Sequence, residues 1–177
     1  MKSSAKKGEE FEREIRRIIE GVIAKTKAEF RAEVVSHPRL IGLSAEWWPD
    51  LVLMAASLLD VPSERSLELS IVECKHVGEA ASEGTYWSQM SRAYMSLNDL
   101  RHVYRESLTF YLAVNRYNKS KKRDYSKIFR NIGVKLLNIN VPGERVEFEN
   151  NIKRLLEETT FEEQEKKLKR IWKEYRL

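Results

Sequence analysis

The chain has 177 residues, 42% hydrophobic and 33% charged with few Gly and Pro, which suits one globular domain and excludes a wholly disordered or collagen-like chain. Its single Cys excludes an internal disulfide, three scattered His add no zinc-site spacing, and no apolar run approaches a membrane span, so a soluble cytoplasmic protein is expected. A net charge of +5 favours an anionic partner such as nucleic acid.

From Gly8 the pattern GEEFEREIRRIIEGVIAKTKAEF predicts a long helix with Phe11, Ile15, Ile18, Ile19, Val22 and Ile23 on one face. At about 100° per residue, Glu12 falls between Ile19 and Ile23, on the apolar face, while Glu9, Arg13, Arg16, Arg17 and Glu20 fall outside it. Glu12 either bends from the margin of the stripe to water or is an inward carboxylate with a task. A short strand is expected around Ala32 to Val35, then a loop from Ser36 to Trp48 carrying His37-Pro38 and Gly42. Trp47 and Trp48 either stack on bases or cap a core edge. Pro49 to Ala55 reads as a buried strand that opens on Asp50, and Ser57 to Ser66 as its connection to the next.

The stretch Leu67 to Val77, LELSIVECKHV, is a β-rich apolar strand that ends on Glu73 and Lys75. Alternation places Glu73 and Lys75 on one face and Val72 and Cys74 on the other, toward a core. A carboxylate and an ammonium at the end of a buried strand are costly to leave without a partner or a role. Antiparallel pairing of the two strands brings Asp50 beside Glu73 and Lys75.

Gly78 to Gly84 reads as a loop, followed by a helix from about Thr85 to Arg105 with the stripe Trp87, Met90, Ala93, Tyr94, Leu97 and Tyr104. Gln89 flanks that stripe, as a surface side chain or one that reaches a phosphate, and Arg101 falls inside it. Ser107 to Asn115 is a buried strand. Lys119, Lys121, Lys122 and Arg123 form a basic cluster, either a solvated turn or a phosphate contact, ahead of a short helix near Tyr125 to Arg130. A strand over Gly133 to Val141 ends at Pro142-Gly143, and a helical tail from Glu149 carries Phe161, Leu168, Ile171, Trp172 and Tyr175 on one face.

The order of a helix with Glu12, a strand with Pro49-Asp50, a strand with Glu73-Cys74-Lys75, a helix and a strand resembles the PD-(D/E)xK nuclease superfamily. Lys7-Gly8 followed by Glu12-Arg13-Glu14 looks like the N-terminal signature of archaeal Holliday-junction resolvases within it. The resemblance implies an α/β, restriction-endonuclease-like fold, a mixed β-sheet core flanked by helices, over about residues 7–141; the helical tail over about 149–177 is an extra C-terminal helix beyond the family core. It implies Asp50 and Glu73 as metal ligands with the Cys74 backbone carbonyl, Glu12 as a further carboxylate acting directly or through water, and Lys75 as the catalytic lysine. The implied cofactor is Mg²⁺, with Mn²⁺ as a substitute. Gln89 matches a Gln that exonuclease-type members carry on the following helix.

These residue types suit phosphodiester hydrolysis, because carboxylate oxygens hold a hard cation against a phosphate and a fixed ammonium offsets charge developing there. The expected activity is that of a metal-dependent DNA endonuclease, junction-specific or of restriction type. The alternatives are a nucleic-acid-binding protein without turnover and a quartet that is only a buried ion-pair network. Cutting two strands with one site per chain points to a homodimer, with the C-terminal stripe as one candidate interface.

Overall fold

The structure is a computed structural model that describes residues 4–26, 30–57, 67–77, 83–104, 108–116 and 125–158. Expectations for Lys119, Lys121, Lys122 and Arg123, and for the stripe from Phe161 to Tyr175, lie outside the described residues.

Helix α1 (Ser4–Lys25) carries the expected 3.6-residue stripe, with Phe11, Ile15, Ile18, Ile19 and Val22 buried, but it ends at Lys25, and Phe30, expected within it, opens the next strand. Strand β1 (Phe30–Ser36) follows, then β4 (Leu51–Ser57) and β5 (Leu67–Lys75). Strands β1, β4 and β5 are antiparallel neighbours, with Ser36 opposite Leu51 and Leu51 opposite Val72. Strands β6 (Leu108–Val114) and β7 (Val134–Asn138) continue the sheet in parallel with β5, giving the order β1-β4-β5-β6-β7. Strand β5 is the hinge of this mixed sheet. It is antiparallel to one neighbour and parallel to the other, and β6 is nearly all apolar because both its faces are covered.

One face of the sheet packs against α1 and α4 (Pro142–Glu158) through Leu51, Leu53, Val72, Ala113, Phe148, Ile152 and Leu156. The other packs against α2 (Glu83–Tyr104) and α3 (Tyr125–Asn131) through Val52, Ile71, Leu97, Leu100, Phe110, Leu112 and Phe129. A five-stranded mixed sheet flanked by helices is the arrangement expected of a restriction-endonuclease-like core.

Several local expectations change. The segment expected to be a loop from Ser36 to Trp48 contains a small hairpin, β2 (Leu40–Ile41) against β3 (Glu46–Trp47). The buried side of α2 includes Ala93, Ser96, Leu97, Asp99 and Leu100, whereas Trp87 and Tyr94, expected in the stripe, are exposed. The hairpin accounts for the burial of Asp99, whose carboxylate accepts bonds from Ser44, Ala45 and Trp47. Arg101 is also exposed, and a side chain at Gly133 would crowd its guanidinium. Gly133 itself has φ +78°, the left-handed conformation that turns α3 into β7 at low steric cost. Pro142 begins α4, seven residues ahead of the expected Glu149, since a proline at the first helical position loses no intrahelical hydrogen bond.

Candidate functional site

Every strand of the sheet places its Ser36, Leu51, Lys75, Val114 or Asn138 end at the same rim. Asp50 stands there, one residue before β4, and its Oδ2 accepts the backbone N–H of Cys74 at 2.7 Å. This bond ties the residue ahead of β4 to the end of β5.

Alternation along β5 turns Cys74 toward the α1 layer, where it packs against the core, and Glu73 toward the α2 layer. Lys75 shares the parity of Glu73 and is exposed. Burial, and after it the nearby Asp50 charge, push the Glu73 carboxyl up to about 7, with a hydrogen bond to Asp50 adding to the effect. Arg92 on α2 and then Lys75 oppose the shift. Arg92 therefore belongs to the electrostatic surroundings of Glu73, although nothing in the strand pattern points to it. The Cys74 thiol is held above its usual range, first by burial and then by the charges of Asp50, Glu12 and Glu73.

Glu12 approaches from the α1 side. It sits on the sheet-facing side of its helix with its side chain 20% exposed, and burial raises its carboxyl above the usual range against the opposing charge of His37. Ser36 at the end of β1 hydrogen-bonds Glu12 and also accepts a bond from Arg16 Nη1 at 3.0 Å, which fixes α1 against the strand.

His37 completes the group, and sequence reasoning treated it only as part of a loop. Its φ is 49°, a left-handed backbone uncommon outside Gly, and its N–H donates to the Asp50 carbonyl at 2.9 Å. The turn carries Nε2 to within 3.4 Å of Glu12 Oε1. Glu12, His37 and Asp50 each offer a ligand atom, and these atoms all lie within 4.8 Å of one another. Two carboxylates and an imidazole so close together suit a divalent cation. The one sequence cue for His37 was positional, since a residue just past a strand antiparallel to β4 must end near Asp50.

The other expected site residues divide as follows. Glu73 adjoins this group through Asp50, and Lys75 stands beyond it on the same strand. Cys74 supplies a backbone N–H to Asp50. Gln89 lies on α2, with its side chain outside the described residues. Trp47 is half-buried and donates its indole N–H to Asp99 Oδ2 at 2.7 Å, so its polar edge is engaged within the fold. Trp48 is 53% exposed.

Asp99 organises the hairpin between His37 and Asp50. It is 8% exposed and accepts bonds from Ser44 N at 2.7 Å, Ser44 Oγ at 2.6 Å, Ala45 N at 3.2 Å and Trp47 Nε1. The Ser44 hydroxyl and then the Trp47 indole lower its carboxyl to about 2, helped by the two backbone N–H groups. Gly42 is required at this contact, because a Cβ there would collide with the Asp99 carboxylate. Arg39 and Glu46 pair across the exposed side of the same hairpin.

None of the described helices is long and apolar enough to cross a membrane. No family profile and no curated protein matches the chain. Among solved structures, it is similar to Can2 from Sulfobacillus thermosulfidooxidans, determined in complex with cyclic tetra-adenylate, at 11% identity and a TM-score of 0.53 over 84% of this chain. The chain spans 36% of that protein's length. It is also similar to AF1548, a protein of unknown function, at 15% identity and a TM-score of 0.48, with 78% of this chain and 65% of the other covered. The likeness to Can2 is one of fold, the mixed sheet with flanking helices described above.

Proposed function

We propose that the protein is a divalent-metal-dependent endonuclease of the PD-(D/E)xK superfamily that hydrolyses DNA phosphodiester bonds, with branched DNA as its preferred substrate, and that it works as a homodimer. The observation that carries this reading is the convergence of Glu12, His37 and Asp50 at one rim of the sheet, with Glu73 hydrogen-bonded to Asp50 and Lys75 two residues further along the same strand. In this reading Glu12, Asp50 and Glu73, with the Cys74 carbonyl, hold Mg²⁺ or a similar ion. Such an ion would supply Lewis-acid polarisation of the scissile phosphate and a more acidic bound water. Lys75 orients the attacking water and offsets charge growing on the phosphate oxygens. Arg92, Gln89 and the basic cluster Lys119, Lys121, Lys122 and Arg123 hold flanking phosphates, in keeping with the net charge of +5.

The test is cleavage of matched linear, single-stranded, flapped and four-way DNA with Mg²⁺, Mn²⁺ or EDTA. Metal-dependent cutting strongest on the branched substrates is expected. Binding without cutting under every metal condition would leave a nucleic-acid-binding protein on the same fold. Light scattering on free and DNA-bound protein tests the dimer, which a monomer in both states would overturn.

A further inference from the structure

Glu12, Asp50 and Glu73 offer oxygen alone, the donor that Mg²⁺ prefers while it keeps several waters. Imidazole changes that preference, because its nitrogen binds first-row transition ions far better than it binds Mg²⁺. From the position of His37 we infer that it is a direct metal ligand and that it makes the site selective for Mn²⁺-class ions over Mg²⁺. This rests on the reading of the site as metal-dependent and adds the identity of the metal to it.

Two features of the geometry carry the inference. First, the Nε2 to Oε1 separation of His37 and Glu12 is 3.4 Å, wider than the roughly 2.7–2.9 Å of a charge-assisted hydrogen bond. The pair is close enough to share an ion and too far apart to be a tight ion pair. Second, ligand atoms around a first-row ion with bonds of about 2.0–2.2 Å lie at most about 4.3 Å apart. The present set lies within 4.8 Å, so small rotations of side chains that are partly exposed close it around an ion. His37 is 59% exposed, which leaves the imidazole free to turn and the remaining coordination positions open to water and a phosphate. The backbone is already committed, since the His37 N–H is held by the Asp50 carbonyl.

The experiment uses full-length protein stripped with EDTA. Binding of Mn²⁺ is followed by loss of the free-ion electron paramagnetic resonance signal, Mg²⁺ by competition, and a ligating nitrogen by electron spin-echo modulation. Wild-type protein is expected to bind Mn²⁺ at least about tenfold more tightly than Mg²⁺ and to show a ¹⁴N coupling. His37→Gly and His37→Asn both tolerate the left-handed backbone. Each is expected to lose the coupling and about tenfold in Mn²⁺ affinity while Mg²⁺ affinity stays within about twofold. An unchanged Mn²⁺ to Mg²⁺ ratio in both variants, or a wild-type complex without nitrogen coupling, would overturn the role of His37. Asp50→Asn separates the two levels of argument. It should lose both ions, and if it binds both like wild type the metal site itself is wrong, whatever His37 does.

Discussion

Asp50 holds the backbone N–H of Cys74 through Oδ2 at 2.7 Å, so a carboxylate of the candidate metal group is also a structural tie between β4 and β5. The two duties can be separated by substitution. Asp50→Asn keeps an oxygen for the Cys74 N–H and removes the charge a cation needs. It should leave urea unfolding nearly unchanged and lower cleavage at least about 100-fold, because even outer-shell partners of a metal cost about 10–100-fold. Asp50→Ala should lose cleavage equally and also cost about 1–3 kcal/mol of stability, the penalty of an unsatisfied N–H. In both variants DNA affinity should remain, since the phosphate contacts proposed above come from the basic residues. Glu73→Ala should likewise abolish cleavage with binding retained.

Lys75 lies at the exposed end of β5, on the Glu73 side. Lys75→Ala should reduce single-turnover cleavage by about 10²–10³-fold, the usual loss for one fixed group facing transition-state charge. Lys75→Arg should not restore the rate, because a planar fork cannot occupy the position of a compact ammonium. A fully active Arg variant would remove the positional role.

The Glu73 carboxyl is raised from 4.5 to about 7, so between these values the folded protein keeps a proton that the unfolded chain has released. Stability of metal-free protein should therefore be highest below about pH 4.5 as far as this group is concerned, and should decline as pH rises to 7. Chemical denaturation in EDTA across this range should show the decline in wild type and a flatter profile in Glu73→Gln. Metal affinity should climb over the same interval, because an ion competes with the proton for the carboxylates.

Asp99 shows the opposite sign. Its carboxyl is lowered from 3.8 to about 2, so its stabilising effect is complete above about pH 3.8 and is lost as pH falls toward 2. Acid unfolding should be less steep over that interval in Asp99→Asn than in wild type. Gly42→Ala should destabilise the protein by forcing a methyl group into the same carboxylate, and much less so in an Asp99→Ala background. Additive effects in this double-mutant cycle would show that the two residues do not interact.

Joint neutralisation of Lys119, Lys121, Lys122 and Arg123 should weaken DNA binding and make the slope of log affinity against log salt shallower by up to roughly 3.6, at about 0.9 per phosphate contact. Unchanged slopes would leave the cluster as a solvated turn.

Much of this arrangement was legible in the sequence because it follows from fixed periodicities. The helical period placed Glu12 on the buried face, and strand alternation separated Glu73 and Lys75 from Cys74. His37 and Asp99 were not legible in that way. His37 is recruited by a left-handed turn and by the opposition of Ser36 to Leu51, a register that exists only once two distant segments pair. Asp99 resembled an ordinary polar residue on an amphipathic helix. Its role depends on a hairpin of four strand residues, too short to show a period.

The common rim has a consequence for how the protein tolerates change. The candidate site sits where β1, β5, β6 and β7 end and β4 begins, and there Asn115 accepts the Val77 N–H at 2.6 Å and donates to its carbonyl at 3.3 Å. The chain joining Ser57 to Leu67 and the chain entering Leu108 attach at the opposite rim. The sheet thus insulates one end from the other. An insert between residues 57 and 67 leaves the sheet from the rim shared by Ser57 and Leu67, a strand's length from Asp50, whereas one placed just after Val77 leaves it from the rim that carries Asp50.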